Sequence, residues 1–190
     1  MTPSSADDEE LAALPGAIWG ELTKAVQDRS HGWRTPVLAT VDGEAADART
    51  VVLREVSAER QAINFFTDAR SPKVSQLQRK PFGTVVAWCP RLGWQLRMRV
   101  SLQVETDGLA VSSLWAKLKL RPAAQDYMSE LAPGSLLPTS LAPTRPEAGA
   151  RAHFALLRAT ALEIDWLGLR PSGHRRAFFD SSSVARWITP

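Results

Sequence analysis

The chain has 190 residues, of which 44% are apolar and 23% are charged, the balance of an ordinary globular domain. Its single cysteine, Cys89, excludes an internal disulfide and a zinc site made of several cysteines. The net charge of +3 divides unevenly, because four acidic residues give the first ten positions −4 and leave +7 for the rest. A mildly basic body suits anionic small ligands, and the lack of long blocks of like charge argues against a nucleic-acid partner.

The start of the chain, MTPSSADDEE, lacks the basic residues and the apolar run of a secretory signal. Residues 1–10 are instead predicted to be a flexible acidic tail, followed by one domain over residues 11–190. No apolar stretch of the sequence is long enough to span a bilayer. These features predict a cytoplasmic protein without a membrane partner.

The first predicted element is a helix over residues 14–29, where Ile18, Leu22 and Val26 recur every four residues. From Pro36 onwards the apolar residues alternate with polar ones or form short runs, which is typical of strands. In chain order we predict strands over 36–41, 48–56 and 61–67, a short helix over 71–79, strands over 82–89 and 93–106, helices over 109–119 and 121–130, a loop over 131–149, and strands over 153–169, 175–180 and 184–188.

These elements do not alternate strand and helix in the way that a parallel sheet requires. In the strand over 93–106, Trp94 and Leu96 alternate with Gln95 and Arg97, so one face is apolar and the other is polar. The order and the alternation favour a mainly β fold, an antiparallel barrel with helices at its edges.

The most informative stretch is FFTDARSPK, residues 65–73, where a predicted strand ends and a predicted helix begins. A helix N-terminus presents free backbone N–H groups and a partial positive charge. Two hydroxyls, from Thr67 and Ser71, and two cations, Arg70 and Lys73, flank this end, so the stretch can form a cradle for a phosphate. The alternative is an ordinary capped helix with solvated charges.

Three other stretches contain candidate residues, each with a plainer alternative. Arg49 and Arg54 bracket an apolar run and either reach a ligand at the barrel mouth or lie in water. The amide of Gln95 suits the edge of a heterocycle or belongs to a polar outer face. Trp166 either stands near a flat ligand or is a core aromatic residue.

Common catalytic and nucleotide-binding motifs are missing from the sequence, which has no GxGxxG, GxxxxGK[ST], HExxH or GxSxG. His31, His153 and His174 have no metal-ligand spacing, so no metal site is predicted. Cys89 ends an apolar strand, and we expect a core residue there rather than a nucleophile.

Taken in order, ARTVVLR, FFT, SPK, the strand with WQLR, and a late tryptophan followed by HRR resemble the pyridoxamine 5′-phosphate oxidase-like family of FMN-binding split barrels. The resemblance runs from about Arg34 to Arg186. The chain is also similar to a subset of that family known only as flavin-binding proteins, in which a Leu-Trp helix, here Leu114-Trp115, precedes a Pro-Gly loop, here Pro133-Gly134. The implied fold is an antiparallel split β-barrel with flanking helices, and the implied cofactor is FMN.

The resemblance implies that cationic and hydroxyl side chains hold the FMN phosphate, while the apolar run before Arg54 lies along the flavin and Gln95 meets its polar edge. Family sites lie at a dimer interface, so the implied partner is a second copy that contributes Ser135, Trp166 and Arg176. His174 is the candidate acid or base. The cofactor-binding residues implied in this way are Arg49, Val51, Val52, Leu53, Arg54, Phe66, Thr67, Ser71, Lys73, Gln95, Ser135, Trp166 and Arg176.

Three departures from the family's oxidases bear on the activity. Pro72 replaces the arginine before the phosphate lysine, Arg54 replaces a lysine, and Ser172 replaces the arginine of the substrate site. They favour an FMN-dependent oxidoreductase with another small-molecule substrate over a pyridoxamine-phosphate oxidase. The alternatives are a flavin-binding protein without turnover and a split barrel that binds haem or a deazaflavin.

Overall fold

The computed structural model describes residues 6–137, 153–180 and 185–190. A short 3-10 turn, Gly32–Arg34, follows the first helix, and another, Pro122–Tyr127, follows the third. The helices and strands are α1 (Ala6–Gln27), β1 (Val37–Asp42), β2 (Ala45–Thr50), β3 (Leu53–Ser57), β4 (Ala62–Asp68), α2 (Pro72–Arg79), β5 (Phe82–Cys89), β6 (Trp94–Glu105), α3 (Gly108–Leu118), β7 (Phe154–Gly168), β8 (Arg175–Asp180) and β9 (Ala185–Ile188).

The strands join in one antiparallel sheet with the order β2-β1-β5-β6-β7-β4-β3, and β8 and β9 extend it from β7. The long strand β7 pairs with β6 along one side, and on the other side with β4 through its first half and β8 through its second. A register shift between Arg99 and Val100 marks the point at which β7 changes partner. The predicted mainly β fold with flanking helices is confirmed.

Consecutive strands β2 and β3 lie at opposite ends of this strand order, although only Val51 and Val52 separate them in the chain. The sheet therefore has to curl until its two ends meet, which makes a barrel that is split at this crossing. The prediction of a single strand over 48–56 is wrong for this reason. The backbone N–H of Val51 instead donates to the carbonyl of Pro36, at 2.9 Å.

The barrel interior is filled by large apolar side chains, and α1 packs across it with Ile18, Trp19 and Leu22. A smaller cluster lies under α3, where Trp115, Tyr127 and Phe154 are in contact. Cys89 is 1% exposed, as expected for a core residue.

Helix α1 starts at Ala6, so the predicted flexible tail over residues 1–10 is wrong where the structure describes it. Acidic side chains favour a helix N-terminus, and here they also find cations from the end of the chain. Asp7 pairs with Arg175 at 2.9 Å and Glu10 with Arg170 at 2.7 Å.

The remaining elements lie within a few residues of their predicted positions, with one exception. The helix predicted over 121–130 is the 3-10 turn Pro122–Tyr127. Residues 138–149 of the predicted loop lie outside the described residues. Among the described helices, none combines the length and the apolar character needed to cross a membrane.

Candidate functional site

A cavity of about 280 Å³ opens beside the crossing from β2 to β3. The end of β4, the first turn of α2 and the segment that follows α3 form the rest of its wall. The lining residues are Arg49, Thr50, Val51, Val52, Arg54, Phe65, Phe66, Thr67, Asp68, Ser71, Lys73, Asp126, Tyr127, Pro133 and Leu157. Two stretches that the sequence singled out separately therefore meet in one place.

Three polar side chains converge in one wall of this cavity. The Lys73 ammonium donates to Thr67 Oγ1 and to Ser71 Oγ, each at 3.1 Å, and the two hydroxyl oxygens are 3.3 Å apart. Ser71 precedes α2, yet its hydroxyl makes no capping bond to the helix and faces Lys73 instead. We call Arg49, Thr67, Ser71 and Lys73 the cradle.

The electrostatics of the cradle favour an anion. Burial lowers the pKa of the Lys73 ammonium, and the charge of Arg49 lowers it further. A negatively charged ligand beside Lys73 would oppose both effects, because it stabilises the charged form. The positive charge of Lys73 is therefore only partly balanced by other charges of the protein.

Arg49 is fixed by a network that the sequence analysis missed. It donates to Thr40 Oγ1 at 2.6 Å, to Gln76 Oε1 at 3.3 Å and to the carboxylate of Asp47. Gln76 is 2% exposed and donates to Asp47 at 2.8 Å. The hydrogen bond from Gln76 and the charge of Arg49 lower the pKa of Asp47, although its partial burial opposes them. A glutamine on a short helix carries no sequence signal that it is buried.

Arg70 does not belong to the cradle, contrary to the prediction. Its guanidinium pairs with the buried carboxylate of Asp68 at 2.8 Å and donates to the carbonyls of Ser129 and Glu130 at 2.8 and 3.0 Å. The segment that carries Tyr127 and Pro133 is thereby fastened to the turn before α2. Arg70 thus holds part of the cavity wall in place without lining the cavity itself.

Residues 51–54 are predicted to lie along the flavin. Val51, Val52 and Arg54 do line the cavity, but Leu53 does not. The Leu53 side chain is 0% exposed and belongs to the barrel core, so a side-chain contact from it to a ligand is excluded. A bulge at Arg54 brings its guanidinium carbon to 5.3 Å from the centre of the Phe66 ring. Arg54 therefore lines the cavity above an aromatic ring.

Gln95 and Arg176 lie elsewhere, on the outer face of the sheet. Gln95 is paired with Leu167, and Leu167 is paired with Arg176, so these side chains form one row across the sheet. Arg97 and Asp165 are paired in the neighbouring row on the same face. Both oxygens of Asp165 accept from Arg176, at 2.9 and 2.7 Å. Within one chain these residues do not reach the cradle, and their role in binding stays a prediction.

The prediction that Trp166 contacts a ligand is wrong, because Trp166 is a core residue. Its side chain is 0% exposed and packs against Trp94 with ring centres 5.2 Å apart. Gly168 makes room for it, because a Cβ there would lie 2.5 Å from the Trp166 ring. A side chain without exposed surface cannot touch a ligand held by another copy.

Ser135 and His174 are exposed, and neither lines the cradle cavity. Ser135 follows Pro133 by two residues, so it lies near the rim. His174 is in the turn between β7 and β8, where its Nδ1 accepts from the backbone N–H of Arg170 at 3.4 Å. The structure does not bring His174 to the cradle of its own chain.

Residues 17–106 match the model of a family described as pyridoxamine 5′-phosphate oxidase, FMN-binding domain. The match contains the whole cradle and confirms the resemblance found in the sequence. No curated protein matches the chain.

Solved structures with the same fold cover nearly the whole chain. A pyridoxamine 5′-phosphate oxidase-related, FMN-binding protein from Nostoc punctiforme PCC 73102 superposes with a TM-score of 0.74 at 24% identity, over 92% of this chain and 96% of that one. PhzG from Burkholderia lata 383, in complex with tetrahydrophenazine-1-carboxylic acid, gives 0.67 at 16% identity, over 100% and 94%. A haem-binding protein from Mycobacterium smegmatis gives 0.53 at 13% identity, over 86% and 59%. These likenesses confirm the split-barrel fold.

Proposed function

We propose that the chain binds FMN and that the cradle holds the phosphate of this cofactor. The observation that carries the proposal is the convergence of Lys73, Thr67 and Ser71 in one cavity, with donor–acceptor distances of 3.1 Å. A phosphate offers acceptor oxygens to the ammonium, to both hydroxyls and to Arg49. The family match over residues 17–106 supports FMN as the source of that phosphate.

The flavin ring would extend from the cradle along Val51, Val52 and Arg54, with Tyr127 and Pro133 on the opposite wall. Bound FMN supplies hydride and electron transfer, and the protein supplies binding and electrostatics. The apolar wall excludes water from the ring. Arg54 places a positive charge in the wall of the cavity, where it favours an anionic reduced flavin or an anionic substrate.

The proposal includes a cytoplasmic homodimer with a composite site. The register of the sheet puts Val37, Phe82 and Trp88 on the same outer face as Gln95 and Arg176, and these three side chains are 37%, 55% and 42% exposed. A face with exposed aromatic residues and arginines suits a protein partner. If this face packs against a second copy, Gln95 and Arg176 lie near the partner's flavin, and Ser135 and His174 lie near the rim of the interface.

The proposed activity is the oxidation or reduction of a small molecule by the flavin. Pyridoxamine 5′-phosphate is not the expected substrate, because Arg54 and Ser172 replace the lysine and the arginine that serve it in the oxidases of the resembling family. Turnover of this substrate by FMN-loaded protein should stay below about 1 per second.

The test of cofactor binding is a titration with FMN, FAD and riboflavin, after the absorption spectrum of the purified protein has been recorded. FMN should bind about 10- to 150-fold more tightly than riboflavin, because the loss of a charge-assisted hydrogen bond costs about 1.5–3 kcal/mol. Equal affinities for FMN and riboflavin would overturn the role of the cradle. A haem or deazaflavin spectrum would replace FMN with that ligand.

The test of the composite site is the mass in solution, by light scattering, of protein saturated with FMN. A dimer that the Trp88→Arg substitution converts to a monomer with weaker FMN binding supports the proposal. A monomer that binds FMN at full occupancy contradicts it.

A further inference from the structure

A second and larger cavity, of about 590 Å³, lies on the other side of Arg54 from the cradle cavity. Its walls are the C-terminal part of α1, strands β3, β4 and β7, and one face of α3. Of the described residues, Arg54 alone lines both this cavity and the cradle cavity. An occupant here would therefore lie next to whatever occupies the cradle cavity.

The charged groups of this second cavity are mostly cations. Among the residues that the structure describes, it is lined by four cations and one carboxylate, that of Glu55; the cations are Arg54, Arg60, Lys117 and Arg158. Arg158 is paired with Glu105, at 3.0 Å. In the ranges that the structure describes, no acidic side chain pairs with Arg60 or Lys117, and both are exposed to the cavity mouth. The walls thus keep an excess of positive charge that an anion would balance.

Two buried polar atoms on the same wall have no hydrogen-bond partner among the described residues. They are Oδ1 of Asn64 and Nε of Arg54. The amide nitrogen of Asn64 is used, since it donates to Glu55 at 3.0 Å. A buried polar atom without a partner costs about 1–3 kcal/mol, so two of them beside one cavity call for an explanation. A carboxylate oxygen, bound after a small movement of Arg54, would accept from its Nε–H, whereas Asn64 Oδ1 is itself an acceptor and does not favour an anion.

Apolar side chains complete the cavity. Val26, Val56, Leu114 and Leu156 lie between the cations. A free inorganic ion would leave this surface in contact with water, whereas an aromatic or branched body would cover it. The combination of apolar wall and unpaired cations is suited to a small organic carboxylate.

We infer that this cavity is a binding site for a small organic carboxylate, the substrate class of the neighbouring flavin. The role of this cavity as a substrate site rests on the proposed FMN function, whereas its binding of a carboxylate does not. Because Arg54 touches both cavities, the carboxylate and FMN should alter each other's affinity by the same factor.

The experiment uses 4-fluorobenzoate as the probe and 4-fluorobenzamide as its neutral counterpart, with dissociation constants from ¹⁹F NMR. Both are titrated into the full-length protein, flavin-free and saturated with FMN. The carboxylate should bind at least about 10-fold more tightly than the amide, the value of one charge-assisted hydrogen bond. Its affinity should change on FMN saturation. Equal binding of the two probes, or no binding of either, overturns the site.

A double variant and a matched control test where 4-fluorobenzoate binds. Arg60→Ala combined with Lys117→Ala should weaken 4-fluorobenzoate about 10-fold or more and leave 4-fluorobenzamide unchanged, since both side chains are exposed and contribute little to packing. The matched control is Lys119→Ala, which removes an exposed lysine of the same segment outside the cavity. A loss as large in the control as in the double variant contradicts the placement.

The flavin dependence separates the two proposals. Carboxylate binding by a protein that takes up no FMN would keep the site and overturn the proposed function. Carboxylate binding that FMN saturation leaves unchanged would overturn the adjacency to the flavin, and with it the substrate assignment.

Discussion

The cradle and the outer face of the sheet both concentrate cations, but they treat the positive charge in opposite ways. At the cradle, burial and Arg49 lower the pKa of Lys73, whose described hydrogen-bond partners are two neutral hydroxyls. On the outer face, the hydrogen bonds that Arg176 donates to Asp165 raise the pKa of Arg176, and Arg97 shares the same carboxylate at 3.3 Å. The charge of Lys73 stays available to a ligand, whereas the outer-face arginines are neutralised within the protein, as Arg49 of the cradle is by Asp47.

Whether a cation is already paired within the protein is therefore a better sign of a ligand site than the number of cations. A buried cation whose charged form is disfavoured gains most from an incoming anion. A cation already bonded to a carboxylate must first give up that bond. The four predictions that follow test this contrast in order of decreasing effect.

The largest effect is expected from Lys73→Ala. The variant loses the charged donor of the cradle, so its dissociation constant for FMN should rise about 10- to 150-fold, or about 1.5–3 kcal/mol. Flavin fluorescence titration measures it, and Lys80→Ala, at the other end of α2, is the control. An unchanged affinity, or a large fall in the melting temperature of the flavin-free variant, would contradict the assignment.

The pH dependence of the same contact should be visible as a changing preference for FMN over riboflavin. The pKa of Lys73 in the empty protein lies below its ordinary value of 10.5, and a bound phosphate raises it, so binding takes up a proton at alkaline pH. The preference should fall as the pH rises through the lowered pKa. Lys73→Arg should keep the preference to higher pH, and a preference independent of pH in the wild type would show that Lys73 is not at the phosphate.

On the outer face, Asp165→Asn should destabilise the fold without touching the cradle. It removes the carboxylate shared by Arg97 and Arg176, so the free energy of unfolding should fall by about 1–2 kcal/mol. The ratio of FMN to riboflavin affinity should stay at the wild-type value. Urea unfolding and flavin titration measure the two quantities, and a changed ratio would place the outer face in the phosphate site.

The smallest effect is expected from Arg70→Lys, which keeps the positive charge but loses the planar guanidinium that donates to three carbonyls, those of Ser129, Glu130 and Leu131. The segment over 126–133 should exchange its amide protons faster, and FMN should dissociate a few-fold faster, because each lost bond contributes about 0.5–1.5 kcal/mol. Hydrogen exchange and stopped-flow release measure this. Arg79→Lys, in an exposed ion pair at 3.0 Å, should change neither quantity.

The sequence predicted the features that depend on neighbouring residues. The alternation in β6 and the hydroxyls and lysine of the cradle lie within short stretches, and both are in the predicted places. Features that depend on distant contacts were missed or misjudged. Burial of Gln76 requires α2 to pack on β1, and the core position of Trp166 depends on contacts with Trp94 and Trp187, which are far away in the chain.

Two other misjudged positions have local structural causes that no pattern revealed. The chain leaves the sheet between β2 and β3, which turns Leu53 into the core instead of the cavity. Residues 6–10 fold as helix because their carboxylates meet arginines from the far end of the chain.

That last contact has a consequence for how the protein folds during its synthesis. Glu10 and Arg170 are 160 positions apart, and the indole of Trp187 donates to the carbonyl of Asp7 across 180 positions. The first helix leaves the ribosome well before Arg170 and Trp187 are made. Closing a barrel through such distant contacts is intrinsically slow. The first turns of α1 therefore lack these partners until about 160 further residues have been made, and the incompletely folded nascent chain is prone to aggregation in this interval.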